Sequence, residues 1–339
     1  MKAIVLVGGF GTRLRPLTLK APKQMLPMGR TTMVEQVVAQ LGSFGVTEVV
    51  LSLGYQPDAF QAAFPDAVCA GVRLVYAVEP EPLDTAGAIR FAYDAAGYDE
   101  RVLALNGDVL TDLDVADLWA RHQAFGGEAT IALTPVEDPS RYGVVATDAD
   151  GRVEAFIEKP APGTAPSNWI NAGTYVLEPE FLARVQPGVR TSIERDVFPA
   201  VAQAQRLFAV GSEAYWIDAG TPEAYVQAHL DLLDGRRASG PAEGVHPDAT
   251  VDPTAKVQRS FVGAGSVVGA GAEVVDSVLM DGVKVGDGAR VERSVVGAGG
   301  SVGAGASVTG LSVVGFAGAV EPAAVVDGGL VPPPEDWGV

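Results

Sequence analysis

Two hydrophobic rhythms divide the chain. Through the first two-thirds, short apolar runs alternate with segments whose apolar positions recur every three or four residues. Lys2–Val7, Glu48–Leu53, Arg73–Val78 and Arg101–Asn106 read as buried strands, and Met33–Leu41, Asp58–Phe64 and Thr85–Tyr93 between them read as helices. This alternation predicts an α/β domain with a mostly parallel, doubly wound sheet and ligands at the strands' carboxyl ends. From Ala129 the rhythm changes. Ala129–Thr134, Gly143–Thr147, Arg152–Glu158 and Trp169–Leu177 predict antiparallel or mixed strands, a strand-rich insertion in the sheet. Helical spacing returns at Glu194–Ala204 and Pro222–Leu233.

Asp234–Pro241 then reads as a linker, and beyond it an apolar residue recurs every sixth position. Val251 and Val257 begin the series; Val262, Val268 and Val274 continue it, as do Val285 and Val291. After a one-residue slip, Val296, Val302, Val308, Val314, Val320 and Val326 hold the spacing without a break. Glycine and alanine fill the gaps. Such hexads predict a parallel β-helix, each turn built of three hexads with its valines inside. A stack of this kind leaves flat faces and open ends, so a homo-oligomer is expected. The expected domains are residues 1–235, a linker at 236–246, a β-helix at 247–330 and a tail at 331–339.

Chemistry enters where the first strand breaks into Gly8-Gly9-Phe10-Gly11-Thr12-Arg13-Leu14-Arg15-Pro16, with Lys23 following. Glycines let the backbone turn tightly and offer bare N–H groups to a ligand. Arg13 and Lys23 put positive charge where a polyanion would sit. A glycine loop followed by two cations predicts a nucleoside triphosphate. The loop is not a Walker loop, since no Lys-Ser or Lys-Thr closes it, nor a dinucleotide fingerprint, since Leu14 replaces the third glycine.

Composition narrows the reading. The 339 residues exceed one typical core, and 47% apolar content excludes a disordered chain. A net charge of −18 argues against general affinity for nucleic acid or anionic membrane, so local cations must draw in an anionic substrate. No apolar run approaches the ~20 residues of a membrane helix, and the opening does not read as a signal peptide. The lone Cys69 precludes an internal disulfide and suits a reducing cytosol, so a cytoplasmic location is expected. Its simplest role is a small buried side chain.

Asn106-Gly107-Asp108 ends one apolar run, and Asp218 ends another in Trp216-Ile217-Asp218-Ala219-Gly220. Alone, each aspartate reads as a cap or turn residue. As a pair beside a triphosphate they supply the hard oxygens that Mg²⁺ takes. Glu158-Lys159-Pro160 and Asn171-Ala172-Gly173 follow and occupy later strands; alone, they read as a solvated charge pair and a bulge.

The loop string through Pro16-Leu17-Thr18 and Pro22-Lys23 resembles the signature of the sugar-1-phosphate nucleotidylyltransferases, and the resemblance runs over nearly the whole chain. It implies a Rossmann-like nucleotide-diphospho-sugar transferase fold followed by a left-handed parallel β-helix of hexapeptide repeats. It implies that Arg13, Lys23, Asp108 and Asp218 are catalytic, and that Asp108 and Asp218 hold Mg²⁺. Leu6, Gly8, Gly9, Gly11, Thr12, Glu79, Asp84 and Gly87 would contact the nucleotide. Gly143, Glu158, Lys159, Asn171 and Gly173 would bind the sugar phosphate, with Lys159 on the phosphate and Glu158 on sugar hydroxyls. Asp84 stands where the family usually has glycine, as a helix cap or an acceptor for a guanine N–H, and Gln24 stands where it usually has proline.

Within that family, Pro82-Leu83-x-Thr85-Ala86-Gly87, Tyr142-Gly143-Val144-Val145 and Ser192–Pro199 are most similar to the guanylyltransferases acting on mannose 1-phosphate. The implied reaction makes GDP-mannose and pyrophosphate from GTP and mannose 1-phosphate. The same chemistry on glucose 1-phosphate with dTTP, UTP or ATP is an alternative, as is a non-catalytic subunit that senses a sugar nucleotide. The three histidines, His122, His229 and His246, all lie outside the repeat, which argues against an acyltransferase there.

Overall fold

The computed structural model describes residues 1–338. The chain divides into two compact units. One contains Met1–Gly9 and Val37–Trp216; the other contains Phe10–Gln36 and the chain from Ile217 onward.

In the first unit, β-branched and leucine runs are buried on both faces, as a central parallel sheet requires. Lys2–Leu6 lies between Glu48–Leu53 and Val102–Asn106, parallel to both. Val72–Val78 continues the parallel order beyond Glu48–Leu53. Trp169–Leu177 pairs antiparallel with Val102–Asn106 and starts the mixed half of a ten-stranded sheet. Gly143–Thr147, Val153–Glu158 and Ala129–Pro135 complete that half, with Leu207–Gly211 on the edge of Ala129–Pro135. The core is aromatic on one side. Phe198 packs against Tyr175 at 5.4 Å and Phe181 at 5.9 Å between ring centroids.

The helices begin where sequence and physics agree. Asp114 caps Val115–Phe125 by accepting from the N–H groups of Ala116 and Asp117. That helix, the strand Val109–Thr111 and the edge strand Leu207–Gly211 have no counterpart in the sequence reading. The helix expected at Glu194–Ala204 is a π-helical turn, Ile193–Val197, leading into Phe198–Gln203.

The second unit contains the β-helix, as three five-stranded parallel sheets. Each sheet stacks one hexad position: Val251, Val268, Val285, Val302 and Val320 on one, Val257, Val274, Val291, Val308 and Val326 on the next. Leu279 fills the gap in the valine series, between Val262 and Val296 on the third sheet. The expected turn of three full hexads is corrected in one respect. Neighbouring coils are 17 residues apart, because one corner of each is a residue short. At those corners Arg259, Asp276 and Arg293 take φ of 43–47°. The fourth coil inserts one residue there, with Gly310 and Leu311 both at positive φ.

The Asp234–Pro241 stretch does not hang free. Arg237 is buried and donates to Gln36 Oε1 at 2.9 Å, and the Ala242 N–H donates to Leu232 O. A hairpin, Pro27–Met28 with Thr31–Thr32, belongs to the same unit. The Tyr225 hydroxyl donates to Pro27 O.

Candidate active site

In the first unit, strand register gathers the predicted residues at one set of carboxyl ends. Leu6 is paired with Ser52 on one side and Asn106 on the other. The Gly107 N–H donates to Leu6 O at 2.9 Å, which seats the Asn106-Gly107-Asp108 turn beside the glycine turn. A Cβ on Gly107 would lie 2.7 Å from Val7 Cγ1, and one on Gly54 would lie 2.9 Å from Gly8 O. Glycine is required there because two backbones approach closely.

Glu79 closes the other side of that turn. Its carboxylate accepts from Ser52 Oγ at 3.0 Å and from the Leu83 N–H at 3.1 Å, and it lies 3.2 Å from where a Gly8 Cβ would be. Burial raises its pKa above the ordinary carboxylate value, against those two hydrogen bonds. Asp84 has φ of 60°, a left-handed conformation that explains a usual glycine at this place. Its Oδ1 accepts from the Thr85 N–H and its Oδ2 from Arg195 at 2.9 Å. Gly87 has a packing reason of its own: a Cβ there would lie 2.7 Å from Val189 O.

The sugar-side residues also meet. Gly143 is paired with Glu158, and a Cβ on Gly143 would lie 2.9 Å from Glu158 Oε2. Val144 is paired with Ile170, next to Asn171. Asn171 Oδ1 accepts from the Gly173 N–H, and its Nδ2 donates to the Tyr175 hydroxyl at 2.8 Å. Gly173 has φ of 73° and passes so close to Asn106 that a Cβ would lie 2.6 Å from its Nδ2. Lys159 is two-thirds exposed, with Nζ 3.4 Å from Glu158 Oε1.

Sequence reasoning missed the residues that brace this group. Tyr175 is fully buried, and Trp216 donates from Nε1 to Ala172 O at 2.9 Å. The alternation of strand faces carries no signal for Tyr175, because the strand is irregular between Asn171 and Tyr175.

The second unit gathers the rest. Gly11, at φ of 61°, opens a 3₁₀ turn over Thr12–Leu14, and its carbonyl accepts from Thr18 Oγ1 at 2.8 Å. A Cβ on Gly11 would lie 2.9 Å from Thr18 Cγ2 and 3.2 Å from Lys23 Cβ, so loop and lysine are packed together. Arg13 Nη2 lies 3.7 Å from Asp218 Oδ2. Asp218 Oδ1 accepts from the Gly220 N–H, and Thr221 caps the helix Pro222–Leu233 that follows. A side chain on Gly220 would meet both Arg13 and Asp218 at 2.8 Å. Asp218 is a partly exposed carboxylate paired with a cation, which suits a hard metal as well as an ion pair.

The first unit's central parallel sheet, with a bare-glycine turn and a carboxylate at one strand end, is the architecture of a nucleotide-handling enzyme of the α/β class. A family model described as nucleotidyl transferase matches residues 2–235, and one described as GMPPB C-terminal domain matches residues 241–336. The chain belongs to the nucleotidyl transferase family.

It is 37% identical over 294 residues to a mannose-1-phosphate guanylyltransferase of Mycobacterium tuberculosis, covering 84% of this chain and 80% of the relative. It is 40% identical over 281 residues to a probable mannose-1-phosphate guanylyltransferase 2 of Arabidopsis thaliana, covering 79% and 75%. Among solved structures, HddC from Yersinia pseudotuberculosis superposes with a TM-score of 0.57 at 28% identity, over 67% of this chain and 97% of that one. HddC complexed with GMP-PN gives a TM-score of 0.56. Nucleotidyl transferases generally use a divalent metal. No helix among the described residues is long and apolar enough to cross a membrane.

Proposed function

We propose that this nucleotidyltransferase makes GDP-mannose and pyrophosphate from GTP and mannose 1-phosphate. The observation that carries the reading is that relatives named for this reaction match more than three-quarters of the chain. The GMP-PN complex of HddC adds support for a guanine nucleotide.

In this reading the sugar phosphate attacks the α-phosphorus in line and pyrophosphate leaves. The second pKa of a phosphate monoester is about 6, so the attacking oxygen is already ionised near neutrality and needs no general base. Catalysis is then positioning and charge neutralisation. Arg13 and Lys23 neutralise the triphosphate, and Lys159 holds the attacking phosphate. Gly143, Glu158, Asn171 and Gly173 take the sugar, while Leu6, Gly8, Gly9, Gly11, Thr12 and Glu79 line the nucleotide. Asp84, engaged by Arg195, orders the segment that leads to Gly87. Asp108 and Asp218 would hold Mg²⁺, which offsets charge on the phosphates when bound.

The reading also places the enzyme in a reducing cytosol, as a homo-oligomer assembled through the β-helix. Light scattering of the purified chain tests the assembly. A panel of GTP, ATP, UTP and dTTP against mannose 1-phosphate and glucose 1-phosphate, read as pyrophosphate release, tests the reaction. GTP with mannose 1-phosphate should exceed every other pair. Preference for another pair would reassign base or sugar, and binding without release would indicate a sensing subunit.

A further inference from the structure

The last strand of the third sheet, Leu330–Val331, stacks on Val313–Val314, but the chain then turns away, and over Gly315 a piece of the glycine loop stands where the next coil would continue. In the earlier coils, the glycines that follow Val262, Val285 and Val296 make room for the backbone of the next coil. A Cβ on Gly263 would meet Asp281 N at 2.6 Å, and one on Gly286 would meet Ala304 N at 2.6 Å. On the same sheet as Gly263, a Cβ on Gly297 would meet Gly315 C at 2.7 Å. At Gly315 itself the nearest atoms are Pro16 Cβ at 3.1 Å and Pro16 Cγ at 3.2 Å. Pro16 is buried and directly follows Arg13-Leu14-Arg15.

A second contact lies beside it. The chain leaves the last coil through a short turn, Pro334–Asp336, and Trp337 Nε1 donates back to Pro332 O at 3.0 Å. The Arg15 guanidinium carbon lies 5.8 Å from the Trp337 ring centroid. Arg15 Nε is buried and has no hydrogen-bond partner, and the guanidinium faces the Trp337 ring. Leu14 and Leu17 are fully buried on either side of the Arg15-Pro16 pair.

We infer that the end of the β-helix and Trp337 form a buttress that holds the Thr12–Leu14 turn, and through it Arg13, in the position that receives the triphosphate. Trp337 and Arg15 are positioning residues for guanylyl transfer. The inference rests on the proposed reaction and deepens it, because it assigns the repeat a part in nucleotide binding.

The test compares the full chain with Trp337→Ala, Trp337→Phe, Arg15→Met and the double variant Arg15→Met/Trp337→Ala. Steady-state kinetics give kcat and the KM for GTP. Hydrogen exchange follows the Leu14 and Leu19 amides, which close the loop's 3₁₀ turns onto Gly11 O and Pro16 O. Trp337→Ala should raise the KM for GTP roughly three- to tenfold, the range one cation–π contact supports. It should leave the KM for mannose 1-phosphate unchanged. Exchange at Leu14 and Leu19 should speed up, while amides of Val102–Asn106 keep their protection. Trp337→Phe should restore both readouts. Arg15→Met should match Trp337→Ala, and the double variant should be no worse than either.

Wild-type KM and exchange in both Trp337→Ala and Arg15→Met would overturn the inference, as would additive losses in the double variant. The two readings fail separately. If the wild-type enzyme releases no pyrophosphate yet the exchange pattern holds, the proposed reaction fails and the buttress stands. If it releases pyrophosphate and both variants behave as wild type, the buttress alone fails.

Discussion

The sheet unit packs large side chains once; the repeat unit packs one small side chain many times. In the first, Tyr175, Phe181 and Phe198 meet through segments remote in sequence, and Leu6 is paired with residues 46 and 100 positions away. In the second, a coil's strand partners come from the coils directly before and after it. Stability in such a stack is close to a sum over neighbouring coils, whereas a remote-contact core opens as a larger cooperative block. The chemistry follows the same division. In the sheet unit the proposed polar groups stand at or near strand ends: Asp108 follows Val102–Asn106, Glu158 ends Val153–Glu158 and Asn171 lies near the start of Trp169–Leu177. In the other unit the proposed residues Arg13, Lys23 and Asp218 come from the loop and the strand end that precede the coils.

The largest effect should come from the two aspartates, one in each unit. Asp108→Asn and Asp218→Asn each preserve shape and remove a charge. Each should lower kcat about 10³-fold, the scale of losing one main electrostatic contribution to a transition state. Melting temperature should stay near wild type, and EDTA should reproduce the loss in the unmutated enzyme. Turnover within tenfold of wild type in either variant would refute the proposed metal pair.

Next in size is a pH effect expected from the repeat unit. His229 is fully buried, with Nδ1 donating to Tyr225 O at 2.9 Å and the Tyr225 and Phe261 rings against it. Burial pushes its pKa down to about 4 from an unfolded value of 6.5. Between those values the unfolded chain binds a proton that the folded chain refuses, so stability rises with pH across the window and is lost on acidification. At 1.36 kcal/mol per pKa unit the span is about 3 kcal/mol. His122, also lowered chiefly by burial, adds to it with the same sign in the sheet unit. Thermal unfolding from pH 7 to 4.5 should show the loss, and His229→Leu should flatten the part that belongs to the repeat unit. An unchanged slope in that variant would assign the effect elsewhere.

Lys159 tests the sheet unit's share of substrate binding. Lys159→Met should raise the KM for mannose 1-phosphate about 10- to 100-fold, as loss of one charge-assisted hydrogen bond predicts. The KM for GTP should hold. A rise in both constants would place the lysine on a surface common to the two substrates.

The contrast between the units also explains what the sequence made legible. The hexad series was readable because one short-range rule repeats, and Leu279 broke the valine pattern without breaking the apolar one. The missing corner residue was not, since a five-residue step looks like a slip until three coils are seen in register. In the sheet unit, the strand runs and their turn motifs were legible from local pattern. Glu158–Lys159 and Asn171–Gly173 were assigned to the sugar by family resemblance, because their meeting depends on antiparallel register that no local signal carries. Gly173 alone reads as a bulge glycine; it and Gly107 each admit a neighbouring strand at contact distance. Glu79 was singled out for its segment, but its bonds to Ser52 and Leu83 come from tertiary structure alone.

The smallest effect should come from a ladder of buried serines at the short corners, and it isolates the difference between the units. Ser277 Oγ donates to Val275 O at 2.7 Å and accepts from the Ser294 N–H at 3.2 Å, and the Ser277 N–H in turn donates to Ser260 Oγ. Ser277→Ala therefore strands a buried N–H in the next coil, which costs about 1–2 kcal/mol. Ser294→Ala should cost less. The extra residue near Gly310 breaks the ladder there, and the Ser312 N–H turns instead to Thr309 O. Among the described residues, the Ser312 N–H that would meet Ser294 Oγ is already taken by Thr309 O. In a stack of neighbour contacts, Ser277→Ala should speed hydrogen exchange at Ser294 and along Arg290–Val296, and leave Lys2–Leu6 and Val102–Asn106 untouched. Equal costs for the two serines, or exchange that spreads into the sheet strands, would mean that the coils and the sheet open as a single block.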